Sequence, residues 1–189
     1  MGRDAVDRAF ERVPRAGFLR TADRGRADED RPVPIGHDQT NSQPSTVAAM
    51  LRLLDVRPGH RVLDLGSGSG WTSALLSELV GPDGHVLGVE RVPELVTASR
   101  TALAESPRSW VAVEHAEPGV LGAPGDAPFE RVLVSAEASA LPATLVDQLT
   151  DGGVLVIPVA GEMHRVVRSG SGARVTRHGR YRFVPLIGS

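Results

Sequence analysis

The feature that most constrains the fold is a glycine-rich turn that directly follows an apolar segment. Residues 62–71 read V-L-D-L-G-S-G-S-G-W, so that three alternate glycines join a short apolar run to a helical one. Glycine lets the backbone turn sharply and lets a ligand approach without a Cβ atom in the way. The D-x-G-x-G-x-G spacing differs from the G-x-G-x-x-G of dinucleotide-binding turns. We therefore expect a ligand-binding loop between a strand and a helix.

Short apolar runs alternate with helical patterns from Arg61 onward. The predicted strands are Arg61–Leu65, His85–Val89, Trp110–Val113, Arg131–Ser135, Val154–Val159, Arg165–Arg168 and Tyr181–Leu186. The predicted helices between them cover Thr72–Val80, Pro93–Glu105 and Pro142–Leu149. Such alternation implies right-handed crossovers and predicts an α/β fold with a doubly wound, mainly parallel, seven-stranded sheet. The last two strands have no helix between them, which predicts an antiparallel C-terminal hairpin at one sheet edge.

The N-terminal part of the chain does not follow this alternation. Apolar residues at helical spacing predict a helix over Asp4–Val13, which Pro14 ends. Residues 14–41 are rich in Pro, Gly and mixed charge and predict a long loop. We interpret Arg15 and Arg20 in this loop as surface charges, with an acidic peptide as the alternative partner.

A second N-terminal helix is predicted after this loop. Asn41 or Ser42 is a candidate for its cap, and Pro44 stands in its first turn, where a missing N–H costs little. We expect a single domain over the whole chain. Residues 1–55 would supply the N-terminal helices and a substrate loop, and residues 56–189 the α/β core.

Composition limits the classes of function. The absence of cysteine excludes disulfides, thiolate metal sites and a cysteine nucleophile, and the six histidines are too scattered to predict a metal site. A net charge of −2 gives no reason to expect binding to nucleic acid or to an anionic membrane. The first residues lack an apolar signal core and no apolar run could cross a bilayer. We expect a soluble, cytoplasmic monomer.

An acidic residue follows the glycine turn at an informative distance. Glu90 ends the next apolar run, V-L-G-V at 86–89, about twenty residues after the last glycine. A carboxylate at this strand end can accept hydrogen bonds from both hydroxyls of a ribose. The turn and Glu90 together predict a ribose-bearing cofactor, and we expect the 14–41 loop to close over it.

The chain resembles one family of methyltransferases along nearly its whole length. Its glycine turn is similar to the first motif of class I methyltransferases, whose loop holds the amino-acid part of S-adenosyl-L-methionine. Other segments resemble the protein-L-isoaspartate O-methyltransferases in the same order: V-P-R-A-G-F at 13–18, P-I-G-H-D-Q-T-N-S-Q-P at 34–44, A-P-F-E-R-V at 127–132, Q-L to P at 148–158 and R-F-V-P-L at 182–186. The resemblance implies a Rossmann-like class I methyltransferase fold.

The resemblance also implies a reaction and a set of site residues. Members of the family use S-adenosyl-L-methionine to methylate the free α-carboxylate of L-isoaspartyl residues in proteins or peptides, and the ester collapses to a succinimide that hydrolyses partly to normal aspartate. The candidate catalytic residues are Ser42, which matches the family's active-site serine, and Thr40. The candidate cofactor-binding residues are Gln39, Asp64, Gly66, Ser67, Gly68, Gly70, Glu90, Arg91 and Glu117. The candidate substrate-binding residues are His37, Asn41 and Glu137.

Four positions depart from the family pattern. Asn41 replaces a usually apolar residue, Asp38 a glycine, Glu117 the aspartate that contacts the adenine amino group, and Glu137 one of a run of small residues. Asp38 and Glu137 would place negative charge where an anionic carboxylate must dock, unless they face solvent. Two alternatives therefore stay open: a peptide-tailoring aspartate O-methyltransferase that forms an aspartimide in a ribosomally made peptide, and a catalytically silent cofactor-binding module.

Overall fold

The predicted seven-stranded sheet is the main element of the computed structural model, which describes residues 2–187. The helices are α1 (Ala5–Arg12), α2 (Pro44–Leu54), α3 (Trp71–Val80), α4 (Pro93–Ala104) and α5 (Ala143–Asp147). The strands are β1 (Val33–Gly36), β2 (Gln39–Asn41), β3 (Arg61–Leu65), β4 (His85–Glu90), β5 (Val111–His115), β6 (Phe129–Val134), β7 (Leu149–Val159), β8 (Glu162–Ser169) and β9 (Gly172–Arg180).

The topology of the large sheet is the predicted doubly wound one. Its strand order is β5-β4-β3-β6-β7-β8-β9. Strands β3 to β7 pair in parallel, whereas β8 and β9 add to the edge in antiparallel pairings. The order reverses between β3 and β6, and open α/β sheets bind ligands outside the carboxyl ends of their strands at such a point.

Helices cover both faces of the sheet, and neighbouring strand residues alternate between them. Val62 faces a buried cluster that also contains apolar residues of α1, α2 and α3. Leu63, the next residue, faces a second cluster that includes Leu145 of α5. Both strand residues are fully buried, as expected for a parallel sheet covered on each side. The N-terminal helices thus share the core of the sheet.

The predicted loop over residues 14–41 is wrong, because this segment is folded. It forms 3₁₀ helices at Arg15–Phe18 and Thr21–Arg26, followed by the antiparallel β1–β2 hairpin. The hairpin turns at His37 and Asp38, whose φ angles are 53° and 57°. Two successive left-handed residues are typical of a type I′ turn, and aspartate tolerates this conformation better than most residues. Such short elements carry too few apolar residues to show a period in the sequence.

The predicted cap of α2 is also wrong. The N-cap is Gln43, and its side chain makes no capping hydrogen bond to the helix backbone. Instead, the carboxylate of Asp30 accepts the backbone N–H of Ser45 at 2.9 Å and the side-chain amide of Gln43 at 3.1 Å. A carboxylate at a helix N-terminus accepts hydrogen bonds from otherwise unpaired N–H groups, and its negative charge interacts favourably with the positive end of the helix dipole. A residue of the folded 14–41 segment therefore caps the helix that follows it.

The C-terminal hairpin is confirmed, but the predicted last strand is not. The hairpin consists of β8 and β9, whereas Tyr181–Leu186 lies outside the sheet and makes one isolated bridge, between Pro185 and Glu137. Strand β9 is exposed along almost its whole length, so its sequence has no apolar face to reveal it. The other bounds differ most at β7, which begins at Leu149, five residues before the predicted start.

Candidate active site

One cleft lies at the carboxyl ends of the parallel strands, where the strand order reverses. Leu65 and Gly66 at the end of β3, Glu90 at the end of β4 and Ser135 after β6 all line it. The cleft holds about 880 Å³ of space not filled by protein atoms, its open mouth included.

The glycine turn forms the floor of this cleft through backbone hydrogen bonds to the end of β4. The N–H groups of Gly66 and Ser67 both donate to the carbonyl oxygen of Val89, at 2.8 and 3.2 Å. The N–H of Gly68 donates to Oε2 of Glu90 at 2.9 Å. Gly66 and Gly68 have φ angles of +78° and +55°, a conformation that glycine adopts without the cost paid by other residues. The turn and the acidic residue, linked only by spacing in the sequence, are therefore in direct contact.

Glu90 is buried but keeps hydrogen-bonding capacity toward the cleft. Its Oε1 accepts the N–H of Val92 at 2.9 Å, so each carboxylate oxygen receives one backbone donor. A carboxylate oxygen can accept two hydrogen bonds, so one position on each oxygen stays free for a ligand. Arg91, the next residue, also lines the cleft and is exposed.

Asp64 lies behind the glycine turn and does not line the cleft. It is fully buried, and its Oδ2 accepts the hydroxyl groups of Ser73 at 2.6 Å and of Thr72 at 2.7 Å. Burial raises the pKa of Asp64 from 3.8 to about 6, against the lowering effect of these two hydroxyl donors. Thr72 does line the cleft, so Asp64 acts on the site through this hydroxyl.

Two other predicted cofactor residues also lie outside the cleft lining. Gly70 caps the start of α3 with a φ of +86°, and a Cβ atom at this position would lie 2.9 Å from the Cβ of Ser99. Its glycine is therefore needed for packing. Glu117 is exposed, whereas its neighbour Ala116 contributes to an apolar wall together with Val120 and Leu121.

The 39–42 segment forms the opposite wall of the cleft. Gln39, Thr40, Asn41 and Ser42 all line it, so the structure brings both predicted catalytic residues to the glycine turn. Thr40 is exposed, Ser42 is half-buried and Asn41 is buried. Three other residues do not line the cleft. His37 and Asp38 are exposed in the hairpin turn, and Glu137 is half-buried and lies outside the lining.

Arg15 fixes this segment, and its interpretation as a surface charge is wrong. Its side chain is only 5% exposed and lies over the ring of Trp71. Its Nε donates to Oδ1 of Asn41 at 2.7 Å. Its other N–H groups donate to the backbone carbonyls of Ala27, Glu29, Arg31, Asn41 and Ser42, at 2.9–3.5 Å. Burial is the main cause that lowers the pKa of Arg15.

A C-terminal segment completes the cleft, and the sequence did not predict it as a site element. Residues 184–187 line the cleft. The backbone of Glu137 holds them, because its N–H donates to the carbonyl of Val184 at 2.8 Å and its carbonyl accepts the N–H of Leu186 at 2.7 Å. The only available signal was the resemblance of 182–186 to a closing strand, which did not show where these residues lie.

Neither a group of metal-ligating side chains nor a membrane-spanning helix is present in residues 2–187. In this part of the chain no three His, Cys, Asp or Glu side chains are placed to hold a metal ion together. None of its helices combines the length and the apolar character needed to cross a membrane.

The strand order and the position of the cleft define a class I methyltransferase fold. A crystal structure from Plasmodium falciparum, described as a putative protein-L-isoaspartate O-methyltransferase in complex with S-adenosyl-L-homocysteine, superposes with a TM-score of 0.89. The similarity covers 100% of this chain and 93% of that one, at 26% sequence identity.

Comparison of sequences identifies the family within this class. The family model for protein-L-isoaspartate(D-aspartate) O-methyltransferase matches residues 1–189. The chain is 44% identical to the protein-L-isoaspartate O-methyltransferase of Methanopyrus kandleri, over 97% of this chain and 83% of the relative. It is 45% identical to that of Aeropyrum pernix, over 95% of this chain and 71% of the relative. The chain belongs to the protein-L-isoaspartate O-methyltransferase family.

Proposed function

We propose that the protein transfers a methyl group from S-adenosyl-L-methionine to the free α-carboxylate of L-isoaspartyl residues in proteins or peptides. The observation that carries this proposal is that one cleft is lined by the glycine turn and Glu90 on one side and by the 39–42 segment on the other. The membership of the chain in the isoaspartate methyltransferase family supports the choice of substrate.

The cleft fits the parts of the cofactor. Glu90 offers one free acceptor position on each oxygen, which suits the two hydroxyls of a ribose. Ala116, Val120 and Leu121 form an apolar wall suited to an adenine ring. The hydroxyl of Ser67 is buried at the cleft without a partner among the described residues, and a buried polar group of this kind calls for a ligand or ordered water.

The reaction requires positioning more than acid–base chemistry. When bound, S-adenosyl-L-methionine supplies an electrophilic methyl group on a sulfonium. A substrate α-carboxylate, with an ordinary pKa of about 4 or below, is already ionised at neutral pH, so no side chain has to remove a proton. In our proposal Ser42 and the backbone N–H groups near Thr40 orient the carboxylate, and the apolar cleft excludes water, which favours an in-line displacement.

The positions of Asp38 and Glu137 reduce the repulsion of a substrate carboxylate that the sequence led us to expect. Neither Asp38 nor Glu137 lines the cleft, and Asp38 is exposed in a turn. A substrate carboxylate can therefore enter from the 39–42 side without a direct contact with either of them.

The test is methyl transfer from labelled S-adenosyl-L-methionine to two matched peptides, one isoaspartyl and one aspartyl. We expect transfer to the isoaspartyl peptide alone. Transfer to the aspartyl peptide would replace the proposal with aspartate methylation. Cofactor binding without transfer to either peptide would indicate a silent module or a dedicated peptide substrate.

A pair of serine variants adds a control within the chain. Ser42→Ala should lower kcat/KM at least tenfold, because a hydrogen bond to a carboxylate contributes about 1.5–3 kcal/mol. Ser45→Ala, at an exposed serine outside the cleft lining, should leave kcat/KM unchanged. Equal kinetics for the two variants would remove Ser42 from the proposed mechanism.

A further inference from the structure

The hydrogen bonds around Asn41 have only one possible polarity. The Nε of Arg15 can donate but cannot accept, so the atom that faces it at 2.7 Å must be the oxygen of the Asn41 amide. The nitrogen of that amide must then face the other way. It lies 3.1 Å from the Oγ of Ser69. Since the amide nitrogen can only donate, the hydroxyl oxygen of Ser69 is the acceptor of this bond.

Ser69 is therefore left with a hydrogen to donate. Its hydroxyl makes no other hydrogen bond among the described residues, and it lines the cleft beside Asn41. Both residues are buried, with exposures of 8% and 5%, so bulk water has little access to this hydrogen. A buried donor of this kind is costly unless a ligand accepts it.

The neighbouring hydroxyl has the opposite polarity. Thr72, three residues later in the chain, donates its only hydroxyl hydrogen to the carboxylate of Asp64 at 2.7 Å. Its oxygen can therefore only accept from a ligand in the cleft. A donor at Ser69 and an acceptor at Thr72 are suited to a carboxylate and an ammonium group, the two charged ends of a free α-amino acid.

We propose that Ser69 donates a hydrogen bond to a carboxylate bound in the cleft, and that Asn41 is the positioning residue that keeps its hydroxyl oriented for this bond. The inference rests on the proposed function, under which two carboxylates enter the cleft: that of the amino-acid part of the cofactor and that of the isoaspartyl substrate. The acceptor at Thr72 favours the cofactor, because only a free amino acid carries an ammonium group beside its carboxylate.

The test measures binding of two probes by calorimetry, without turnover. One is S-adenosyl-L-homocysteine and the other is its decarboxylated analogue, which lacks only the carboxylate. Ser69→Ala should lower the affinity for S-adenosyl-L-homocysteine roughly tenfold or more, as expected for a lost hydrogen bond to a charged group. It should leave the affinity for the analogue within about twofold. Thr97→Ala, at an exposed hydroxyl on α4, is the matched control and should change neither.

A variant of Asn41 tests the positioning role. Asn41→Asp keeps the size of the side chain and its bond to Arg15, but both oxygens of the new carboxylate accept, so Ser69 must turn its hydrogen toward residue 41. The affinity for S-adenosyl-L-homocysteine should fall roughly tenfold or more. The same substitution in a Ser69→Ala background adds the same charge but leaves no hydroxyl to reorient. In that background the loss of affinity caused by Asn41→Asp should be clearly smaller. Equal effects in both backgrounds would overturn the role of Asn41.

The remaining outcomes separate the two carboxylates and the two proposals. Unchanged affinity for S-adenosyl-L-homocysteine with a tenfold higher KM for the isoaspartyl peptide in Ser69→Ala would assign the bond to the substrate carboxylate. No change in either quantity would overturn the inference. Failure of the wild-type protein to bind S-adenosyl-L-homocysteine would instead overturn the proposed function. Circular dichroism of each variant checks that the fold is retained.

Discussion

Replacing Arg15 with methionine tests whether one buried side chain holds the wall of the cleft formed by the 39–42 segment. Methionine has a similar length and is apolar, so it keeps much of the packing and removes every hydrogen-bond donor. The change leaves six acceptors without this donor: the amide oxygen of Asn41 and five backbone carbonyls. Three of these carbonyls, in residues 27–31, belong to half-buried or exposed residues that water can reach.

The expected loss of unfolding free energy follows from the other three acceptors. The amide oxygen of Asn41 and the carbonyls of Asn41 and Ser42 belong to buried or half-buried residues. A buried acceptor left without a partner costs about 1–3 kcal/mol. The cost of burying the guanidinium, visible in the lowered pKa of Arg15, is recovered in the variant. We therefore expect a net loss of about 4 kcal/mol, which is a large part of the stability of a typical domain.

Urea unfolding followed by tryptophan fluorescence measures this loss. Arg20→Met is the matched control, because Arg20 is largely exposed and its side chain pairs, among residues 2–187, only with Asp23. Such a pair contributes at most about 1 kcal/mol. Arg15→Lys keeps the charge but offers three donors from one atom instead of five, and we expect it to lose about half as much as methionine. A loss below about 1 kcal/mol for Arg15→Met would refute the argument.

Three further predictions concern the cofactor side of the cleft. The pKa of Asp64 is raised to about 6 in the fold, so its stabilising contribution is present below pH 3.8 and is lost as the pH rises through 6. The unfolding free energy of Asp64→Asn relative to wild type should therefore rise by about 2 kcal/mol between pH 4.5 and 7.5, and a constant difference would contradict this. Gly70→Ala should lose about 2–3 kcal/mol in urea unfolding, from its φ of +86° and its contact with Ser99. Gly59→Ala, at a φ of +84° with open space around it, should lose clearly less. Glu90→Gln should lower the calorimetric affinities for adenosine and for S-adenosyl-L-homocysteine by similar factors, roughly tenfold. A loss of affinity confined to one of the two ligands would argue against ribose recognition.

The sequence predicted the sheet because its central strands are buried on both faces. Strands such as β3 and β4 are short apolar runs bounded by turns, and this pattern depends only on local composition. Strand β9 has no such pattern, since its residues are nearly all exposed. Residues 181–186 have apolar residues but pack at the cleft, where Val184 and Leu186 bond to the backbone of Glu137. Apolar character alone could not separate a strand from a segment that covers a binding site.

The candidate site also has one part that the sequence could predict and one that it could not. The contact between the glycine turn and Glu90 was predictable, because both follow adjacent parallel strands and their carboxyl ends meet at one sheet edge. The role of Arg15 was not predictable, because its partners lie 12 to 27 residues away, in loop residues and at the end of the short strand β2. A single arginine among mixed charges is usually at the surface. Only the folded chain shows that this one is buried.

The need for an arginine at this position follows from the irregular backbone around it. Strand β2 has three residues, and a two-stranded hairpin of this size is not stable alone. Carbonyls of residues 27–31 and 41–42 converge on Arg15 and accept its N–H groups, and buried carbonyls require donors. Arginine carries five N–H groups in one plane, more than any other side chain. It can therefore fix several turns at once and still orient the amide of Asn41, so the stability of this wall and the polarity of Ser69 depend on the same residue.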